Sequence, residues 1–391
     1  MPHNDPADNR PTSDTPSERR SPINQAKAER GPEPGMALAL SGGGYRAMLF
    51  HLGTLWRLYD AGLLKELQRI SSVSGGSITA GQLALQWHKL SFVPGNLRQD
   101  FEPLVVNPIR ALARHTLDVK SVLAGIFLPG TIGEKIAKAY RKHLYGDATL
   151  QSLPDTPRFV INATNVQSGV LWRFSKPFMG DYRVGLIEKP TLSLATAIAA
   201  SSAFPPILSP LVIEVDPASF GPPEPGVDLN HPPFNRRIVL SDGGVYDNLG
   251  LETIWKRYQT ILVSDAGAKI ADEGKPSEDW AFHSLRVLDL IDNQVRSLRK
   301  RQLIGSYVDG LRTGAYWSIR GDITHYGGSA EEYPPARTLE LAATPTRLEA
   351  MPDERQERLI NWGYAIADAS LRKNFMPELP SGALPYPKRK V

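Results

Sequence analysis

Along the chain the pattern of apolar and polar positions changes at Met36. Residues 1 to about 35 are rich in Pro, Ser, Asn and charge and nearly devoid of aliphatic side chains. They cannot offset the entropy of ordering, and they read as a disordered polar tail. From Met36 the apolar run MALAL leads into SGGG, and a densely apolar stretch from Tyr45 to Tyr59 ends near Gly62. This predicts a strand, a glycine loop and a buried helix, with Gly62 as the helix stop. The scheme repeats where LQRISSV ends in SGGS and leads into ITAGQLALQWHKL. Two strand–loop–helix units in succession predict an α/β sheet with helices on its faces.

Residues from about 92 to 148 read as mainly helical, broken at Pro94, Pro103, Pro108 and Pro129. Within them, the stretch Leu104 to Leu128 interleaves apolar residues with Arg110, Arg114 and Lys120, a composition suited to a lid, an interfacial helix or a helical layer over the core. FVINAT and GVLWRF read as strands, and LSLATAIAASSA as a helix stopped by Pro205 and Pro206. A Pro/Gly/Asn-rich loop follows between Pro217 and Asn235, long enough to be functional or mobile. RRIVLS and QTILVS are strands that each run into an aspartate. From Ser277 to about Ile304, Leu285, Leu288, Val295 and Leu298 recur at helical spacing, and Arg296, Arg299, Lys300 and Arg301 read as a solvated helix end. A last helix spans Asp353 to Arg372. No repeat and no compositional break follows Met36, so residues 36–377 are expected to form one domain, with 378–391 a tail.

The 391 residues, 41% of them hydrophobic, are enough to bury a large core. The 45 basic and 41 acidic side chains are too evenly balanced for nucleic-acid binding. The absence of cysteine excludes disulfides and thiolate chemistry, and the eight histidines follow no metal-ligand spacing, so no metal or cofactor is expected. The opening residues lack the apolar core of a secretory signal, and no segment offers the ~20 apolar residues of a membrane span. The expected location is the cytoplasm, with peripheral membrane contact or export without a cleaved signal left open.

Three local patterns carry chemistry. Ser74 follows the strand RISSV and precedes a helix, where a nucleophile elbow places its serine, although a helix-capping serine fits the same spot. Gly42, Gly43 and Gly44 let backbone N–H groups approach an anion, as an oxyanion hole needs. They also suit a tight strand-to-helix turn and, with Ala47, a dinucleotide fingerprint, but the acid expected at the end of the second strand is replaced by Ser71 to Ser74. Asp242 in SDGGVYDN ends a strand, as a general base or as an Asp-Gly turn, and Asp265 in LVSDAGA competes for the same role.

SGGGYRAM, SVSGGS, AIAASSAFPP and SDGGVYDN resemble, in order, four blocks of the patatin-like and cytosolic phospholipase A superfamily. The resemblance covers roughly residues 36–266. It implies a three-layer α/β/α sandwich with a central, mostly parallel sheet. It also implies a Ser–Asp dyad of Ser74 as nucleophile and Asp242 as base, and an oxyanion hole of N–H groups around Gly42, Gly43, Gly44 and Gly75. The implied substrate is a phospholipid or other acyl-ester lipid, with Arg46 on a phosphate head group or in a salt bridge on its helix. Two departures are Ala47, where patatins carry glycine, and Ser72, which replaces the first glycine of GxSxG. Two rival readings are a Ser–His–Asp esterase using His283 or His325, and an inactive lipid-binding scaffold.

Overall fold

A computed structural model describes residues 32–92, 100–117, 132–222, 226–268, 270 and 272–391. The tail reading for residues 1–31 and the 118–128 part of the Leu104–Leu128 stretch lie outside the described residues.

Ten strands form one sheet among the described residues. They are β1 (Glu33–Leu40), β2 (Leu67–Val73), β3 (Arg158–Asn165), β4 (Val170–Phe174), β5 (Phe178–Asp181), β6 (Gly185–Glu188), β7 (Leu211–Glu214), β8 (Arg237–Asp242), β9 (Tyr258–Asp265) and β10 (Thr313–Ser318). The centre, in the order β10-β9-β1-β2-β3, is parallel, and β4, β5 and β6 extend it antiparallel beyond β3. β8 pairs antiparallel with the far end of β3 and carries β7 on its other side. β1 starts at Glu33, inside the stretch whose composition reads as tail. The Glu33 N–H donates to Arg257 O (2.6 Å), and such backbone pairing needs no apolar side chain.

Alternate residues of β1 enter two separate cores, as the period of a strand dictates. Leu38 and Leu40 join the larger core, while Ala37 and Ala39 face a smaller one with Ile254, Ile261, Val263 and Leu303. Helices therefore lie on both faces. They are α1 (Gly44–Asp60), α2 (Gly75–Gln86), α3 (Asn107–Ala113), α4 (Ile132–Tyr140), α5 (Leu194–Ser201), α6 (Gly244–Asp247), α7 (Glu252–Trp255), α8 (Trp280–Val308), α9 (Pro335–Ala342) and α10 (Asp353–Asn374). Gly62, at φ 70°, ends α1 in a left-handed turn: its N–H donates to Tyr59 O and that of Leu63 to Leu58 O.

Several expectations are corrected. Pro103 and Pro108 do not break the helix, because a π-helical turn, Glu102–Val106, runs directly into α3. The lost amide of Pro108 frees the Leu104 carbonyl, which instead accepts from Gln82 Nε2 (2.8 Å). Val105, Val106, Ile109 and Leu112 are buried, so this part of the stretch is core cover. The basic cluster on α8 is solvated only at Lys300 and Arg301 and lies inside the helix, which runs on to Val308. Arg299 pairs with Glu252 (3.0 Å) and Asp247 (3.5 Å), and Arg296 donates to Ala268 O. The C-terminal residues are no loose tail. Asn361 Nδ2 donates to Tyr386 O and Arg389 O, Arg57 donates to Pro380 O, and Val391 is buried.

α1 and α10 pack at close range because each presents a glycine to the other. A Cβ on Gly53 would lie 1.9 Å from Ile360 O, and one on Gly363 1.9 Å from Phe50 O. Neither backbone can yield without moving its helix. Gly363→Ala is expected to lower unfolding free energy by at least about 2 kcal/mol, read by chemical denaturation, and wild-type stability would contradict this packing.

Candidate active site

The carboxyl ends of the parallel strands form one edge, where loops carry chemistry. Val73, the last residue of β2, pairs with Asn162 of β3, and Asp242, the last of β8, pairs with the next residue, Ala163. Two strands of opposite direction thus meet end to end along one edge of β3. Ser74 and Asp242 are the residues at the junction.

Ser74 adopts φ 51° and ψ −121°, one of two non-glycine residues with positive φ among the described residues. Such a conformation costs on the order of 1–3 kcal/mol and persists only where the surroundings impose it. They do so here through hydrogen bonds. The Ser74 carbonyl accepts from the N–H groups of Ser77 (2.8 Å) and Ile78 (3.2 Å), and its own N–H donates to Ser201 Oγ (3.0 Å). The chain continues from Ser201 to Ser77 (2.9 Å), to Ser72 (3.0 Å) and to the Val160 carbonyl (3.4 Å). Since each hydroxyl donates once, its direction is fixed by the carbonyl at its end. Ser72, in place of the customary glycine, is therefore accommodated as a buried link. The glycines that cannot be replaced are Gly75 and Gly76, whose Cβ atoms would lie 2.1 Å from Gly44 O and 2.6 Å from Leu40 O.

Asp242 is 1% exposed. Its Oδ1 accepts from Gly244 N (2.7 Å), whereas Oδ2 is buried without a hydrogen-bond partner. Burial pushes the carboxyl up to about 7, against the opposing pull of the Gly244 amide and the Ser74 side chain, with the Asp292 charge adding to the rise. The Asp242 backbone is held on three sides: Asp242 N to Ala203 O (2.8 Å), Gly243 N to Ser201 O (3.2 Å) and Thr164 Oγ1 to Asp242 O (2.8 Å).

The glycine loop divides its tasks. The Gly42 N–H donates to Asn248 O (3.1 Å) and is not free for a ligand, so Gly42 drops out of the expected oxyanion donors. Its role is steric, because a Cβ there would lie 2.4 Å from Asn248 Oδ1 and 3.2 Å from Ser74 Cβ. Gly43 (φ 141°) and Gly44 (φ 58°) line the same cavity as Ser74 and Asp242, and the N–H groups of Gly43, Gly44 and Gly75 have no acceptor among the described residues.

Arg46 neither reaches a head group nor forms a surface salt bridge. It is 2% exposed and donates to three carbonyls, Ala266 (2.7 Å), Thr344 (2.8 Å) and Ala342 (3.2 Å). Desolvation lowers its pKa to about 10, so it stays charged at neutral pH and clamps the loop from behind. His51 is buried beside it and lowered to about 4 by burial. A carbonyl only accepts, so Nε2–H donates to Ser41 O (2.9 Å) and Nδ1 is left to accept from the Ser264 hydroxyl (2.8 Å).

The rivals do not reach the site. Both oxygens of Asp265 are engaged, by Gly267 N (2.9 Å) and the Tyr316 hydroxyl (2.7 Å). His283 and His325 are exposed and line no part of the cavity holding Ser74. That cavity, about 530 Å³, has an apolar wall of Phe204, Pro205, Pro206, Ile207 and Leu208 and a charged wall of Arg286, Asp289, Asp292 and Arg296 from α8. Sequence reasoning missed Asn248, although it lies inside the block around Asp242. It also missed the α8 wall, whose signal was the helical spacing of its charges.

Among solved structures, human GIVD cytosolic phospholipase A2 in complex with methyl gamma-linolenyl fluorophosphonate is similar at 15% identity and TM-score 0.48, over 87% of this chain and 57% of that one. VipD from Legionella pneumophila matches at 16% identity and TM-score 0.36, over 87% and 67%. The SpcU–ExoU complex of the Pseudomonas aeruginosa type III secretion system matches at 15% and 0.25, over 90% and 82%. The chain thus spans less than two thirds of the length of the phospholipase structure. No curated protein matches its sequence. The family model for patatin-like phospholipase matches residues 38–255, more than half of the chain and the part that holds the glycine loop, Ser74 and Asp242, and the protein belongs to that family.

Proposed function

We propose that the protein is a lipid acyl-ester hydrolase in which Ser74 is the nucleophile and Asp242 its base. The observation that carries this reading is the buried, unpartnered Asp242 Oδ2 beside the strained Ser74. An orphaned carboxylate oxygen in the interior is costly, and a proton delivered to it removes the cost. As Ser74 Oγ bonds to the ester carbonyl carbon, its proton passes to Asp242, and the carbonyl π electrons move onto oxygen. The N–H groups of Gly43, Gly44 and Gly75 are the donors for that oxyanion. Collapse breaks the ester C–O bond, the alcohol leaves with the proton from Asp242, and an acyl-Ser74 remains. Water then attacks the acyl carbon, gives a proton to Asp242, and releases the acid as Ser74 takes that proton back. The apolar wall from Phe204 to Leu208 suits an acyl chain, and the charged α8 wall suits a polar head group.

Ser74→Ala is expected to abolish hydrolysis of phospholipid and p-nitrophenyl esters together with fluorophosphonate labelling. Asp242→Asn should reduce turnover at least about 1000-fold, at the strong end of general-base effects, while His283→Asn and His325→Asn retain it; full activity in either of the first two variants would refute the dyad.

A base raised to about 7 must lose its proton to work. kcat/KM should therefore climb about tenfold per pH unit below neutrality and level off above it; a profile already flat at pH 5 would contradict the assignment.

The same shift affects stability. A carboxyl whose folded pKa lies above its ordinary 3.8 favours folding at low pH and loses that contribution as pH rises from about 4 through about 7. Asp242→Asn should accordingly be more stable than wild type at pH 8, by on the order of 4 kcal/mol at most, with the gap closing toward pH 4. Paired thermal melts at the two pH values measure it.

A further inference from the structure

α8 is amphipathic in the reverse sense. At about 100° per residue, Arg286, Asp289, Asp292, Arg296 and Arg299 share one side, where they line the cavity or pair with α6 and α7. Trp280, Val287, Leu288, Ile291, Val295 and Leu298 fall together on the opposite side, and all are exposed, Trp280 by 80% and Leu298 by 56%. A helix in a water-soluble protein ordinarily turns these faces the other way.

We propose that α8 is a membrane-docking element whose outward face enters the interfacial layer of a phospholipid bilayer and holds the cavity mouth against it; this rests on the lipid-hydrolase reading. Three observations select a bilayer as the occupant. Exposed apolar side chains also surround the cavity, since Phe204 and Ile207 line it and are themselves exposed, and the exposed Phe282 and Leu285 fall on the side of α8 that carries its charges. Both carboxylates of α8, Asp289 and Asp292, line the cavity and neither falls on the outward face, which therefore presents no negative charge to a bilayer surface, while the exposed Arg301 lies beside that face. The third concerns the rival occupant, a second copy pairing α8 with α8. Leu288, Ile291, Val295 and Leu298 do have heptad spacing, but the positions before and after are Ser284 and Gln302. Two heptads are short for a coiled coil. No helix among the described residues is long and apolar enough to cross a membrane, so the contact lies in the plane of the interface.

The test uses the full chain and sonicated vesicles of phosphatidylcholine, with and without phosphatidylglycerol. Ile291→Glu/Leu298→Glu is expected to weaken vesicle co-sedimentation by at least about tenfold. Turnover of vesicle phospholipid should fall in proportion, and turnover of a dissolved short-chain p-nitrophenyl ester should stay within about twofold. Circular dichroism checks the fold, and Val287→Glu provides a second variant on the same face. Undiminished vesicle binding by both variants would overturn the proposal. So would a wild-type dimer in sedimentation equilibrium that the variants dissolve while vesicle binding is unchanged. Ser74→Ala should bind vesicles like wild type. If neither substrate is turned over yet binding is present and lost in the variants, docking stands and the hydrolase reading fails.

Discussion

The geometry of the site depends on how one strand shares its edge. β3 gives the first five residues of its pairing to β2 and the next three to β8, which runs the other way. The hydrogen-bond register of a sheet is fixed to the residue, because a slip by one would turn every side chain to the opposite face. Ser74 and Asp242, separated by most of the motif-bearing sequence, are thereby placed with the precision of a backbone ladder. Neither relies on a long flexible side chain to find the other, which suits the proposed pair of two short ones. The antiparallel β8 matters for this reason: a parallel strand would bring its amino end to the junction.

Around that junction the protein keeps polar groups in the interior and links many of them by hydrogen bonds. The serine chain from Ser74 N to Val160 O, the three carbonyls on Arg46 and the two bonds of His51 hold the backbone at the ends of β1, β2 and β9. Such networks are costly when incomplete and rigid when complete. Asn162 Oδ1, Ser202 Oγ and Arg46 Nε are also buried there without a partner, but the Asp242 Oδ2 is the one carboxylate oxygen in that state among the described residues.

Much of this architecture is legible in the sequence. β2 coincides with LQRISSV, and the strands before Asp242 and Asp265, the stop at Gly62 and the long helices follow from alternation, glycine and helical period. The strands β5, β6, β7 and β10 were not, being four to six residues long, too short for alternation to mark them, while β7 and β10 are further placed by pairing across long intervening segments. The motif order located Ser74, Asp242 and the glycine loop, but backbone hydrogen bonds, which no side-chain pattern encodes, decide that Gly42 is spent on Asn248 while Gly43 and Gly44 are free. Arg46 was misread because a buried arginine satisfied by carbonyls leaves no partner residue type to look for. α8 was read as a periodic helix, yet the period alone does not say which face turns inward.

Arg46 and Tyr45 also reach far along the chain. Arg46 is held by the carbonyls of Ala342 and Thr344, and the Tyr45 N–H donates to Arg347 O (3.0 Å). These acceptors lie some three hundred residues downstream and well past the matched family region. During synthesis from the amino terminus, Ser74 therefore leaves the ribosome long before the groups that brace the neighbouring glycine loop exist. A nascent or truncated chain ending before Ala342 holds every motif residue but lacks that brace, so the ordered glycine loop waits until the segment through Arg347 has been made.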